Sequence, residues 1–311
     1  MGVLIVILAI LAILLVLALL FLHYASEYAF KKAFHDHKKS KEDAFRVLKS
    51  REMLDEKIYD EVYMEEVSIL SKDGLKLRGA LIENFKDSNR FIILVHGYSA
   101  NRHIHMPFVR LFIKEGFNIL IVDERNHGDS EGEYPSYGYY EKEDLDRWID
   151  FIVKRRGNNL FIGLHGQSMG GSTVLMCGAS NPRVKFVIDD CGYSSGKEII
   201  KYQFSKVKWV PFEIVYKVLN YKVKKRYGFR FEEVSPIDDI CNSEVPVLFI
   251  HGNKDKSVPY EMAIDMYTRR NNKKDRVLIV PDAPHMVAYK MAKEEYEKLV
   301  HDFIESIESE Y

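Results

Sequence analysis

Apolar and polar positions fall into three regimes along this chain. Residues 3–22 form one unbroken apolar run of twenty, without a charge or a polar face. Residues 23–61 are charged, with helical periodicity at Phe30, Phe34, Val47, Leu48 and Leu54 and no Gly or Pro between them. That stretch reads as a charged helical stalk. Residues 66–81 alternate and turn at Lys72-Asp73-Gly74, which predicts a hairpin. From Arg90 onward, short apolar strands are separated by amphipathic helices. Strands are expected at 91–95, 117–122, 160–164, 184–188, 245–250 and 277–280, and helices at 107–115, 145–156, 172–180 and 289–309. Fully apolar strands alternating with helices predict an α/β fold, a mostly parallel central sheet with helices on both faces.

The strand rhythm pauses between residues 192 and 242. The sequence there is basic and aromatic: Lys201, Lys206, Lys208, Trp209, Phe212, Tyr216, Tyr221, Lys222, Lys224, Lys225, Arg226, Tyr227 and Phe229. An insertion of this size above the C-terminal edge of a parallel sheet lies where ligands bind, and it reads as a helical cap. The expected organisation is an anchor over 1–25, the stalk over 26–61, and an α/β domain over 62–311 that carries the cap.

The first apolar run is long enough to cross a ~30 Å hydrocarbon core as a helix. A signal peptide would have a basic leader and a shorter apolar core, and only Met1-Gly2 precedes the run. A buried globular helix would keep a polar face. Val6 stands where a myristoylation signal on Gly2 would need Ser or Thr. Lys31, Lys32, Lys38, Lys39 and Lys41 follow the run and no basic residue precedes it. Acidic neighbours count for little in this rule, so a single-pass protein of the cell membrane is expected, with residues 26–311 in the cytoplasm.

Net charge is −1, so no global field favours nucleic acid. Cys177, Cys191 and Cys241 are odd in number and lack C-x-x-C spacing, which argues for free thiols rather than a zinc site or a disulfide framework.

Gly166-Gln167-Ser168-Met169-Gly170 matches G-x-S-x-G, a pattern expected by chance about 0.1 times in a chain of this length. Its position between an apolar strand and a helix marks it as a nucleophile elbow, with Ser168 at the apex. Gly166, Gly170 and Gly171 let strand and helix approach, and the helix N-terminus places partial positive charge near the attacked carbonyl. A serine of ordinary pKa needs a base and a group that orients the base. His285, in Pro281-Asp-Ala-Pro-His285 after the last strand, is the candidate base. His301 lies mid-helix, while His96, His127 and His165 border strand-end turns where a structural role is expected. Asp255, just past the preceding strand, is the candidate acid, with Asp189 and Asp190 as rivals one strand earlier. The order Ser, Asp, His is the one this scaffold uses. Backbone N–H groups of Met169 and Tyr98 are the candidate oxyanion donors.

His96-Gly-Tyr-Ser-Ala-Asn101, Asp123-Glu-Arg-Asn-His-Gly128, the Ser168 elbow, His251-Gly-Asn-Lys-Asp255 and Ala283-Pro-His285 together resemble the serine α/β-hydrolases, from about Glu66 to the C-terminus. The resemblance is to bacterial carboxylesterases and serine-peptidase-like hydrolases. It implies hydrolysis of an ester, thioester or amide through an acyl-enzyme, with no cofactor or metal. A small-molecule or lipid ester is the expected substrate. A related peptidase, a thioesterase or acyltransferase, and an inactive membrane-tethered binding protein are the alternatives. The basic, aromatic cap suggests contact with an anionic membrane surface; the alternative is a solvated cap helix whose aromatics pack inward. Neither acyl group nor oligomeric state is legible.

Overall fold

A computed structural model describes residues 2–34, 38–206 and 212–309. Helix α1 (Gly2–Ala33) precedes α2 (Lys41–Ser50) and a single turn, α3 (Ile58–Glu61). Strands β1 (Glu65–Leu70) and β2 (Lys76–Ile82) form the expected hairpin. Then β3 (Arg90–Val95), α4 (Met106–Lys114), β4 (Asn118–Val122), α5 (Glu141–Arg156), β5 (Phe161–Gln167), α6 (Met169–Ser180) and β6 (Val184–Asp190) alternate. Helices α7 (Gly196–Ser205), α8 (Phe212–Tyr227) and α9 (Pro236–Cys241) fill the interval before β7 (Val247–Gly252). The chain closes with α10 (Glu261–Arg269), β8 (Arg276–Val280), α11 (Ala288–Met291) and α12 (Lys293–Glu308). The last expected helix is thus divided at Ala292.

The eight strands form one sheet in the order β1-β2-β4-β3-β5-β6-β7-β8. β3 to β8 pair in parallel, and β1 and β2 are antiparallel. Successive strand residues face opposite sides. Ile92, Leu94, Ile119 and Ile121 pack under α4 and α12, against Phe108, Phe112, Val300 and Phe303. Phe91, Ile93, Leu120 and Val122 pack on the other face with Leu145, Trp148, Val174 and Met266 from α5, α6 and α10. Burying both faces is what makes these strands apolar at every position.

β4 lies on one side of β3 and β5 on the other, so the chain changes winding direction between β3 and β5. A crevice opens there at the C-terminal strand ends. Ser168 follows directly on β5.

The segment expected as a continuous stalk is broken up and folded onto the body. Ser40 Oγ accepts from the Asp43 N–H and Asp43 Oδ2 accepts from the Ser40 N–H, a capping box that starts a new helix at Lys41. Asn101 Nδ2 donates to the carbonyls of Lys39 and Ser40, and Arg110 pairs with Asp55 and Glu61. Leu48 and Ile58 are buried. The charge pattern concealed these few apolar anchors.

Helix α1 is long and apolar enough to cross a membrane, and its first two-thirds stand exposed. Its last turns do not. Ala29, Phe30, Ala33 and Phe34 are buried in a third apolar cluster with Tyr216, Leu219 and Val223 of α8, and with Tyr137, Met169, Phe229 and Phe231. Most cap aromatics therefore point inward, with Tyr221 an exposed exception. Lys208 and Trp209, part of the basic aromatic pattern, lie outside the described residues.

Candidate active site

Ser168 sits between the last residue of β5 and the first of α6, with φ 56° and ψ −119°. A non-glycine residue holds such angles only where the surroundings over-determine it. The crossing is tight: a Cβ on Gly166 would lie 2.2 Å from the Gly170 carbonyl oxygen. The loop after β3 also presses close, since a Cβ on Gly97 would come within 2.9 Å of Ser168 Cβ. Glycine at these two positions lets the β3 loop and the elbow share one crevice.

The structure brings Ser168, His285 and Asp255 together from the ends of β5, β8 and β7. His285 Nε2 lies 3.0 Å from Ser168 Oγ, and His285 Nδ1 lies 2.5 Å from Asp255 Oδ2. Asp255 Oδ1 accepts the N–H groups of Ser257 at 2.7 Å and Val258 at 2.9 Å. Burial works to raise the Asp255 pKa, but the bonds with His251 and His285, the charge of His285 and the Val258 N–H outweigh it. They hold the carboxyl well below the usual range. It therefore stays ionised beside the imidazole.

The rival acids are engaged elsewhere. Asp189 accepts the Gly192 N–H, and Asp190 accepts from Gln167 Nε2 and Tyr296 Oη. Burial pushes Asp189 up to about 7. The other candidate histidines are engaged elsewhere. Burial lowers His96 to about 4 and His165 to about 3. His96 Nδ1 donates to the Gly97 carbonyl while Nε2 accepts from the Glu124 N–H, and His165 pairs with Tyr296. His127 Nε2 accepts from the Ser99 N–H, and His301 meets Glu115 at the surface.

Met169 opens α6, where an N–H has no intrahelical acceptor. Tyr98 follows the Gly97 approach and reaches the other way: its phenol donates to the Ala33 carbonyl at 2.7 Å. Tyr137 donates to the same oxygen at 2.8 Å, so two phenols satisfy a carbonyl at the C-terminal end of α1 that has no helical partner. Burial raises the Tyr98 phenol to about 12, which keeps it a donor.

A cavity of about 360 Å³ opens above Ser168 and His285, within the roughly 300–1,000 Å³ of small-ligand sites. Met169, Tyr98, Tyr137, Tyr193 and Val258 line its floor, α7 supplies Ile199, Ile200 and Phe204, and α1 supplies Tyr28, Ala29, Lys32 and Ala33. The walls are mostly apolar. Cys191, Asp255 and His285 also converge, but Asp255 and His285 hold each other and burial raises the Cys191 thiol well above its usual value. A buried neutral thiol is a poor metal ligand.

Sequence reasoning missed three contributors. His251 Nε2 lies 3.2 Å from Asp255 Oδ2 and 3.0 Å from the Val258 carbonyl, bracing the acid; its signal was a histidine four residues before that acid. Tyr137 and the end of α1 come from segments with no motif.

A family model for the alpha/beta hydrolase fold matches residues 91–209. The Bacillus subtilis protein YqkD is 31% identical over 223 residues, 71% of this chain and 73% of its own. The chain belongs to the α/β-hydrolase superfamily. A thiohydrolase, aneE of Aspergillus aculeatus, is 32% identical over 137 residues, 42% of each chain. The Pyrococcus furiosus esterase Pf2001 superposes with a TM-score of 0.67 at 24% identity, covering 82% of this chain and 96% of that one. At that identity the likeness is one of fold. The mostly parallel sheet and the superfamily expected from the motifs are both borne out.

Proposed function

We propose that this hydrolase is a membrane-anchored serine esterase that cleaves carboxylic esters through an acyl-enzyme on Ser168. The observation that carries the reading is the Ser168–His285–Asp255 relay, at 3.0 and 2.5 Å, opening into an apolar cavity. Ser168 Oγ attacks the ester carbonyl and passes its proton to His285 Nε2. Asp255 holds the imidazole tautomer and stabilises the imidazolium. The N–H groups of Tyr98 and Met169 bind the oxyanion. The alcohol leaves with the proton from His285. Water, deprotonated by His285, then attacks the acyl-enzyme, releasing the acid and restoring Ser168 Oγ–H. No step calls for a metal or an organic cofactor.

The same relay serves a thioester, whose thiolate is a better leaving group than an alkoxide, and the partial likeness to a thiohydrolase supports that second reading. Residues 3–22 are the proposed anchor, and the lysines that follow favour a cytoplasmic catalytic domain.

The test is a p-nitrophenyl ester series from acetate to laurate, with matched thioesters, on wild type and Ser168→Ala. Hydrolysis by wild type and its loss in the variant are expected. Undiminished hydrolysis by Ser168→Ala would overturn the assignment, and a thioester preference above about 100-fold would favour the second reading.

A further inference from the structure

We infer that α1 is both the membrane span and a wall of the acyl pocket, so that the substrate is an amphiphilic acyl ester drawn from the bilayer along that helix. This rests on the serine-hydrolase reading and names its substrate class. Helix α1 is continuous from Gly2 to Ala33, so the exposed apolar part and the pocket-lining part are one rigid rod. At 1.5 Å per residue, residues 3–22 span about 30 Å, and Tyr28 to Ala33 lie roughly 9 to 16 Å beyond. That distance brings the pocket to the edge of the polar headgroup layer, about 5–8 Å thick on each side.

The rod is fixed to the body at several points. Lys222 of α8 reaches Ser26 Oγ and Glu27, each at 2.7 Å, the Arg226 guanidinium lies 4.8 Å from the Phe30 ring, and Phe34 packs on Tyr227. These contacts advance together along both helices, so α8 runs parallel to α1 and its early residues turn back toward the membrane side. Ile214 and Tyr221 are exposed on α8, as are Tyr24 and Tyr28 on α1. Tyrosines at that depth suit a bilayer interface.

Helix α1 lines the cavity with the small side chains of Ala29 and Ala33, flanked by Tyr28 and Lys32, and α7 lines it with Ile199 and Phe204. The Ala33 carbonyl is held by Tyr98, the residue whose backbone N–H is the proposed oxyanion donor. The anchor therefore supports the site as well as tethering it. Leu22, Ala25, Ala29 and Ala33 recur at helical spacing along one stripe of α1, an apolar path beside the charged positions from the lipid to the cavity above Ser168.

The test uses the full chain in phosphatidylcholine vesicles. A seven-residue helical insertion between Leu22 and His23 raises the pocket by about 10 Å and nearly keeps the phase of the helix. Hydrolysis of 1-oleoylglycerol in the vesicles should fall at least about ten-fold, while p-nitrophenyl acetate in water stays within about two-fold. An unchanged rate on the vesicle substrate would overturn the inference. Ala29→Phe probes the wall: the decanoate-to-acetate ratio of kcat/KM should fall about ten-fold, with fluorophosphonate labelling of Ser168 retained. A constant ratio in a labelled variant would contradict the wall. If that variant is not labelled, the insertion alone decides, because it alters no wall residue. A wild type inactive on every ester would instead reject the serine-hydrolase reading.

Discussion

The sheet edge and the α1–cap region are built on opposite principles. At the edge, each functional side chain sits within a few residues of a strand end: Ser168 after β5, Asp255 after β7, His285 after β8. Parallel pairing brings those ends into register, so local sequence determines their proximity. In the α1–cap region, Phe34 meets Tyr137, Tyr227 and Phe231, partners about 100 to 200 residues away along the chain. No strand register aligns them, and only packing does. On the proposed reading, the reacting groups belong to a rigid frame, while the pocket wall belongs to a docked assembly.

The largest way to break the frame is to remove its nucleophile or base. Ser168→Ala or His285→Ala should each lower kcat by roughly 10⁶-fold, measured on p-nitrophenyl butyrate. Asp255→Asn keeps the shape but loses the ionised acid, and a loss of about 10⁴-fold is expected in the same assay. If Asp255→Asn were nearly silent, Asp190 would have to be reconsidered.

The docked side should fail differently. Phe34→Ala removes a buried ring from the α1–cap cluster and should cost about 3 kcal/mol, read as a lower thermal midpoint. Activity on acetate should survive while activity on decanoate declines. Equal losses on both esters would erase the distinction between frame and assembly.

A titration sharpens the frame further. Burial raises Asp189 to about 7, so the folded chain keeps a proton that the unfolded chain releases near pH 4. Stability should therefore fall as pH rises from about 4 to about 7. Asp189→Asn should flatten that part of a thermal-midpoint profile, and an unaltered slope would show that Asp189 does not titrate there. The smallest effect belongs to Lys222→Met. Its ion pair with Glu27 is partly exposed, so a loss of no more than about 1 kcal/mol is expected.

The same contrast explains what the sequence revealed. The strand positions along the chain, the elbow and the expected meeting of Ser168, Asp255 and His285 follow from motifs at strand ends, where apolar runs and glycines are local signals. The Ser40–Asp43 capping box was equally local, but an uninterrupted charge pattern masked it. The docking of Phe30 and Phe34 was visible only as helical periodicity. Their partners in the cap have no period of their own, and the second donor to the Ala33 carbonyl, Tyr137, lies in a loop. Pocket walls assembled from distant segments leave no motif.

The most direct test of the central claim is to label the full chain with a fluorophosphonate and map the modified residue by mass spectrometry. The relay geometry predicts one adduct, on the peptide containing Ser168, abolished in Ser168→Ala and strongly slowed in His285→Ala. An adduct on another residue, or undiminished labelling of Ser168→Ala, would contradict it.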